Sequence, residues 1–356
     1  MAKVKTLIKG NYAIAEASIR AGCTFFAGYP ITPQSEILEY MSWRMPEIGG
    51  QFIQTESEIA GISMVYGAAS CGVRAMTSSS GPGFDLMQEG ISYLASGEVP
   101  CIIVDLMRYA SGLGNITPSQ GDYLQLAKNG GHGDYKCVVL APSDVQETID
   151  FVIEAYDIAE KYCNPVLIAC DGSIGQMVEA VEFPDEIKKH DQDQYDWSIK
   201  YHREGRYKKI APRFHGKITA EEYDKYTLDK IKSMEANEAR WEEFYAADAE
   251  VVLIAYGTPS RICKEAVLKA RREGFRLGII RLQTLWPFPT EAFKKVRPKA
   301  FLAVEMCSMP QMVYDVALAA RGVAPTYSYI TGVNYPTINQ IIAEAKKTLS
   351  GDAVEV

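Results

Sequence analysis

The chain has no C-x-x-C pair, no membrane-length apolar run and no excess of basic residues, and each absence removes a class of function. Its eight cysteines, Cys23, Cys71, Cys101, Cys137, Cys163, Cys170, Cys263 and Cys307, are scattered through strand-like or helical apolar contexts. Such spacing reads as buried reduced thiols, not as a disulfide framework. An iron–sulfur motif needs closely spaced thiolates and a zinc site needs short Cys or His pairs, so the chain is expected to hold neither cluster nor metal. Of four histidines, His190, His202 and His215 fall in one charged, irregular stretch. The start, MAKVKTLIKGNY, lacks a sustained apolar core, and no segment approaches the roughly 18–20 apolar residues that span a bilayer. No anchor or address is expected, and the expected location is cytoplasmic. A net charge of -8 and a pI near 5.3 argue against nucleic-acid or anionic-membrane partners, which select clustered Lys and Arg.

What the chain does have is alternation. With 356 residues, 47% of them hydrophobic, it is long enough for two packed domains. From about 20 to 175, β-rich runs ("CTFFAGY", "QFIQT", "VRAMTSS", "CIIVDLM", "CVVLA", "VLIAC") are each followed by a helix-length amphipathic segment. That order predicts parallel βαβ units. "EVVLIAYG", "LGIIRLQ" and "FLAVEM" resume the pattern beyond 250, with helices expected over 259–273 and 309–321. Between the two blocks, charged and aromatic residues replace branched aliphatics. Within this connector, Leu228, Ile231, Met234, Trp241 and Tyr245 mark a stripe that predicts one long helix over 219–246. The fold class is α/β with two domains: 1–182, a charged connector at 183–248, and 249–356.

Ligands of doubly wound sheets sit beyond the carboxyl ends of the strands. Four such ends carry chemistry. In "GYPITPQSE" (28–36) each proline pushes the residue before it towards extended geometry, making Pro33 a helix-first residue and Thr32 its N-cap, or an anion-binding corner. In "IQTESEIAGISMVYGAAS" (53–70) Thr55 and Glu58 have the spacing of a capping box. Glu58 is alternatively a partly desolvated carboxyl fit for proton exchange. "TSSSGPGFDLM" (77–87) offers free amides around Ser80 and Gly81, without the lysine of a P-loop or the dinucleotide fingerprint. Arg108 ends an apolar strand, where it pairs with an acid such as Asp105 or Glu58, or presents its fork to a substrate carboxylate.

Taken together these motifs, with "GGHGDY", "VVLAPSDVQE", "LIAYGTPS" and "RLQTLWPFP" in order along the chain, resemble the α subunit of thiamine-diphosphate-dependent 2-oxoacid:ferredoxin oxidoreductases. Within that family the chain is most similar to the branched-chain (3-methyl-2-oxobutanoate, or 2-ketoisovalerate) type, with the 2-oxoglutarate type close behind. The resemblance implies that 1–182 is the thiamine diphosphate pyrimidine-binding domain and that 249–356 is a transketolase C-terminal-like domain. By motif, Glu58 matches the glutamate at the pyrimidine N1′, and Thr32 and Arg108 match substrate-binding residues; the turn at Ser80 and Gly81 is expected to line the cofactor, or else simply to turn the chain. It implies oxidative decarboxylation to acyl-CoA, with coenzyme A as co-substrate and electrons passing to ferredoxin.

The G-D-G…Asn diphosphate and Mg2+ motif is missing, since "CDGSIG" (170–175) lacks the leading glycine, and there are no cluster cysteines. The resemblance therefore implies partners: a β subunit for diphosphate and Mg2+, a γ subunit, and a ferredoxin-like δ subunit carrying iron–sulfur clusters. Pro310 in "VEMCSMPQM" (304–312) stands where relatives tend to carry glycine. The same residues leave two rival readings: a non-catalytic scaffold subunit, and a nucleotide-binding protein outside the thiamine enzymes.

Overall fold

The computed structural model describes residues 5–191, 195, 197–199, 218–351, 353 and 356. His202 and His215, and much of the charged half of the connector, lie outside the described residues. The first block contains β1 (Thr6–Lys9), α1 (Gly10–Arg20), β2 (Phe25–Gly28), α2 (Ser35–Glu47), β3 (Gln51–Gln54), α3 (Glu58–Ser70), β4 (Ala75–Ser79) and α4 (Pro82–Gly97). It continues through β5 (Ile102–Met107), α5 (Tyr123–Lys128), β6 (Val138–Leu140), α6 (Val145–Tyr162), β7 (Val166–Asp171), α7 (Gly172–Gln176) and β8 (Val178–Val181). After α8 (Ala220–Glu238) and β9 (Trp241–Phe244) come β10 (Val251–Ala255), α9 (Gly257–Arg272), β11 (Leu277–Leu282), β12 (Thr284–Trp286) and α10 (Thr290–Lys294). The chain closes with β13 (Ala300–Glu305), α11 (Val313–Ala320), β14 (Thr326–Ile330) and α12 (Ile338–Ser350).

The strands β5, β7, β10 and β13 are wholly buried and apolar on both faces but for Asp105, Asp171 and Glu305, as suits parallel strands covered by helices on each side. Seven strands form the larger sheet in the order β12-β6-β7-β5-β4-β2-β3, parallel except for β12. Five form the smaller, β14-β13-β10-β11-β9, parallel except for β9. Thus β12 leaves the second block and closes an edge of the first sheet. One hydrophobic cluster runs through both blocks, joining Ile168 and Leu106 to Tyr256, Ile280 and Phe301, while a second covers the far face of the smaller sheet. Each fully buried aliphatic side chain there contributes roughly 1.5–3 kcal/mol over exposure.

Two expectations need correction. The helix expected over 219–246 stops at Glu238, and Trp241 belongs to β9 on the edge of the smaller sheet. Glu238 is buried against Lys161, the Tyr162 hydroxyl and Arg240, which ends the helix by a long-range network that no local stripe encodes. The helix expected over 309–321 begins at Val313, because Glu305 accepts the amides of Gln311, Met312 and Val313 at 3.1, 2.7 and 3.2 Å. The Pro310 loop is shaped around that carboxylate. All eight cysteines are free. Among the described residues no helix is long and apolar enough to cross a membrane.

Candidate active site

The turn after β2 is not the simple helix start that its prolines suggest. Thr32 is exposed and lies outside α2, whose N-cap Gln34 makes no side-chain capping bond to the helix, and the Thr32–Pro33 peptide is cis. Side chains from other elements take the carbonyls that a helix would have used. Gln34, fully buried, donates to the Tyr29 carbonyl at 3.0 Å and accepts from Ser78 at 2.6 Å. Asn11 and Gln176 both donate to the Pro33 carbonyl, at 2.7 and 3.0 Å. Arg108 Nη1 donates to the Thr32 carbonyl at 3.0 Å. A turn held from four directions keeps one shape, and it leaves the Thr32 hydroxyl free of capping duty.

At the end of β3 the capping box is likewise replaced. Ser57 caps α3 by accepting from the Ala60 amide at 3.3 Å, and Thr55 donates to the Ser57 carbonyl at 2.8 Å. Glu58 becomes the first helical residue, where the helix dipole favours its negative charge. It is 6% exposed, and Ser79 Oγ donates to its Oε1 in a long bond of 3.4 Å. A Cβ at position 83 would lie 2.3 Å from Glu58 Oε1 and 2.1 Å from Ser79 Oγ, so only glycine lets α4 pass beside the carboxylate.

The Gly81–Pro82–Gly83 turn therefore has Glu58 on one side. On its other side is Arg108, 3.5 Å from where a Gly81 Cβ would stand. Gly81 adopts φ +46, which favours glycine as well. Ser80 is committed elsewhere: its hydroxyl donates to the Leu106 carbonyl at 2.6 Å and ties β4 to β5. Arg108 is 7% exposed and holds no acid. Nη1 meets Thr32, Nη2 donates to the Leu113 carbonyl at 2.6 Å, and Nε is buried without a partner. The structure thus brings Thr32, Gly81 and Arg108 together directly, and links them through one turn to Glu58.

Arg108 also lines a cleft of about 520 Å3 with Gly81, Asp85, Asp122, Met309 and Gln311, so both blocks contribute to its walls. The contact between blocks is polar and well supplied. Gln120 donates to the Tyr256 carbonyl and accepts from the Met306 amide, both at 3.0 Å, while Gln311 donates to the Gly121 carbonyl at 2.7 Å. Asp171, in "CDGSIG", accepts from the Thr258 amide and hydroxyl at 2.7 Å each and from the Ser173 amide at 3.1 Å.

Sequence reasoning did not find Asn11, Gln34, Gln176 or the pair Asp105 and Asp122. For Asp105 there was a signal, an acid inside the apolar run IIVDLM. Burial, then the Asp122 carboxyl, push the Asp105 pKa well above the usual carboxylate range. Burial, then Asp85, push Asp122 up to about 6.

Comparison with known proteins adds the following. Residues 16–247 match the thiamine diphosphate-binding family of pyruvate flavodoxin/ferredoxin oxidoreductases, and 249–341 match core domain II of pyruvate:ferredoxin oxidoreductase. The chain is 46% identical over 316 residues to ketoisovalerate oxidoreductase subunit VorB of Methanothermobacter thermautotrophicus, covering 88% of this chain and 89% of the relative. It is 40% identical over 337 residues to 2-oxoglutarate synthase subunit KorA of Methanocaldococcus jannaschii, covering 87% and 90%. A solved 2-oxoglutarate:ferredoxin oxidoreductase from Magnetococcus marinus, with 2-oxoglutarate, coenzyme A and succinyl-CoA bound, superimposes with TM-score 0.84 at 25% identity, over 98% of this chain and 66% of that one. A split-gene transketolase in an inactive β4 tetramer shares the fold, with TM-score 0.59 at 15% identity.

Proposed function

The chain belongs to the pyruvate flavodoxin/ferredoxin oxidoreductase family and is a subunit of a 2-oxoacid:ferredoxin oxidoreductase, and from that premise we propose that it is the α subunit of a branched-chain 2-oxoacid enzyme. The observation that carries the reading is the joining of Glu58, Arg108 and Thr32 by the Gly81–Pro82–Gly83 turn at adjacent strand ends.

Thiamine diphosphate supplies the electron sink for decarboxylation when bound. Residues 1–182 receive its pyrimidine, 249–356 form the transketolase C-terminal-like domain, and 183–248 connect them. The buried Glu58 carboxylate, with no side chain at position 83 to crowd it, holds a proton at the pyrimidine N1′. Ser80 spends its hydroxyl on Leu106, so the backbone of Ser80 and Gly81 is what lines the pyrimidine side. Arg108 presents its fork towards the 2-oxoacid carboxylate and Thr32 adds its hydroxyl, a positioning role worth several kcal/mol of barrier, on the order of the entropy of orienting one reactant. Diphosphate and Mg2+ fall to a β subunit, since this chain lacks the G-D-G…Asn motif that would hold them. Iron–sulfur clusters fall to a δ partner, and γ completes the complex. Electrons then go to ferredoxin and the acyl group to coenzyme A.

Substrate choice follows from charge. Arg108 is the one cation among the described residues lining the cleft, which also carries Asp85 and Asp122. A dicarboxylate such as 2-oxoglutarate needs a second cation; a branched aliphatic acid does not. The test is carbon dioxide release by the reconstituted complex on 3-methyl-2-oxobutanoate, pyruvate and 2-oxoglutarate, with the first expected to show the highest kcat/KM. In the same complex, Glu58→Gln is expected to assemble normally and lose about 10²-fold or more in turnover. Full turnover by that variant removes the role assigned to Glu58, and a preference for 2-oxoglutarate removes the substrate assignment.

A further inference from the structure

Asp105 is fully buried in β5, and among the described residues neither of its oxygens has a hydrogen-bond partner in good geometry; the nearby Gly81 amide favours its charged form, but burial outweighs it. The carboxyl that faces it is that of Asp122, whose Oδ2 is buried and equally without a donor. A hydrogen bond between two carboxyl groups requires a proton on one of them. Two bare carboxylates in such a place would repel, with only the Gly81 amide and the Arg108 charge nearby to offset them.

The place is particular. Asp105 stands in β5, three residues before Arg108, which immediately follows the strand's end. Asp122 stands in the loop that the second block grips: the Gln120 amide donates to the Met306 carbonyl at 2.7 Å, the Ser119 hydroxyl donates to the same carbonyl at 3.1 Å, and Gln311 holds Gly121. Asp122 and Arg108 line the same cleft, and the Arg108 Nε, buried and unpartnered, belongs to a guanidinium whose other nitrogens are fixed on carbonyls. The other groups acting on the pair are Asp85 from α4, which holds Gln125 at 2.7 Å, and the buried, neutral Cys170 of β7 and Tyr256 that precedes α9.

We propose that Asp105 and Asp122 share one proton and act as positioning residues for Arg108, limiting the acid pair to a single negative charge so that it does not compete with the anionic 2-oxoacid for the guanidinium. With the proton in place, the pair bonds β5 to the gripped loop and Arg108 keeps its two carbonyl partners. When the proton is lost, a second negative charge appears beside the cleft. It draws Arg108 away from the substrate and repels the incoming carboxylate, so substrate affinity falls while the chemistry at Glu58 is untouched.

This rests on the reading of Arg108 as the carboxylate-binding residue, and the experiment separates the two. In the reconstituted complex, KM for 3-methyl-2-oxobutanoate is expected to rise about tenfold between about pH 6 and about pH 9, the effect of one added charge near a partly desolvated site, with kcat changed less than about twofold. Asp105→Asn, whose amide donates to Asp122 at any pH, is expected to keep the neutral KM and lose the alkaline rise. Asp122→Asn makes the same prediction if the first variant does not assemble. Asp105→Leu, which cannot bond, is expected to raise KM at all pH values. In the wild-type complex, infrared spectra with labelled aspartate are expected to show a protonated carboxylic acid at neutral pH that disappears on alkalinisation. An alkaline KM rise retained in both Asn variants, or no such band, overturns the shared proton. An unchanged KM in Arg108→Gln overturns the reading of Arg108 and the proposal with it; a raised KM there, with the alkaline rise kept in Asp105→Asn, overturns the acid pair alone.

Discussion

Asp105 and Asp171 lie on neighbouring parallel strands of one sheet, β5 and β7, both wholly buried, yet they meet opposite fates. Asp171 accepts three donors, two from Thr258 across the junction of the two blocks and one from Ser173. Asp105 accepts no bond in good geometry, has only the Gly81 amide nearby, and faces another acid. Burial raises the pKa of each, and at Asp171 the Thr258 and Ser173 donors offset part of that rise without cancelling it. Depth alone does not decide what a buried carboxyl does; the donors that surround it decide. Supplied with donors, it is a latch between blocks, and deprived of them it stores a proton.

Removing the latch has the largest expected effect. Asp171→Ala strands a buried amide and hydroxyl of Thr258 and is expected to cost about 3–5 kcal/mol, read as a fall in the thermal unfolding midpoint. Gly83→Ala tests a third strand end, where the added Cβ has to displace Glu58 or Ser79. It is expected to cost about 1–3 kcal/mol and to lower thiamine-dependent turnover more than it lowers stability.

The comparison itself is sharpened by Asp105→Asn. The native pKa values of the pair are raised, so their contribution to stability is present in acid, below the unfolded carboxylate range. It is lost as pH rises through about 6 for Asp122 and beyond for Asp105. The Asn variant is therefore expected to gain on the wild type as pH increases, by about 1–2 kcal/mol in mildly alkaline buffer, measured by denaturant titration at several pH values. Asp171→Asn should show a smaller gain with pH, because its donors offset part of the burial that raises its pKa, and should lose stability at every pH as those donors lose a carboxylate. The smallest stability effect is expected at Thr32→Val, within about 0.5 kcal/mol for an exposed side chain, with a raised KM for the 2-oxoacid. An unchanged KM would return Thr32 to a purely backbone role, as the acceptor for Arg108.

The main strands of both blocks were legible because each is a run of branched aliphatics flanked by a helical period, a pattern that both local preference and burial favour. The short strands β9 and β12 were not. Three or four residues of mixed character become strands only by pairing with an existing edge, and the edge that β12 finds lies in the other block. The caps were misread for a related reason. Thr55 and Ser57 offer the same hydroxyl chemistry two residues apart, and only the fold selects Ser57. Thr32 had the right neighbours for a cap, but Gln34, Asn11, Gln176 and Arg108 claim the turn's carbonyls from distant parts of the chain.

By itself the sequence determined the α/β alternation, the order of the motifs, and the residue types at four strand ends, since these depend on period, side-chain chemistry and the backbone limits of glycine and proline. Tertiary structure alone decided that Arg108 holds carbonyls instead of an acid, that the Gly-Pro-Gly turn separates it from Glu58, and that Asp105 meets Asp122 while Asp171 meets Thr258. Those outcomes turn on which donors lie within about 3 Å of a buried charge, a distance set by packing between segments far apart in the chain.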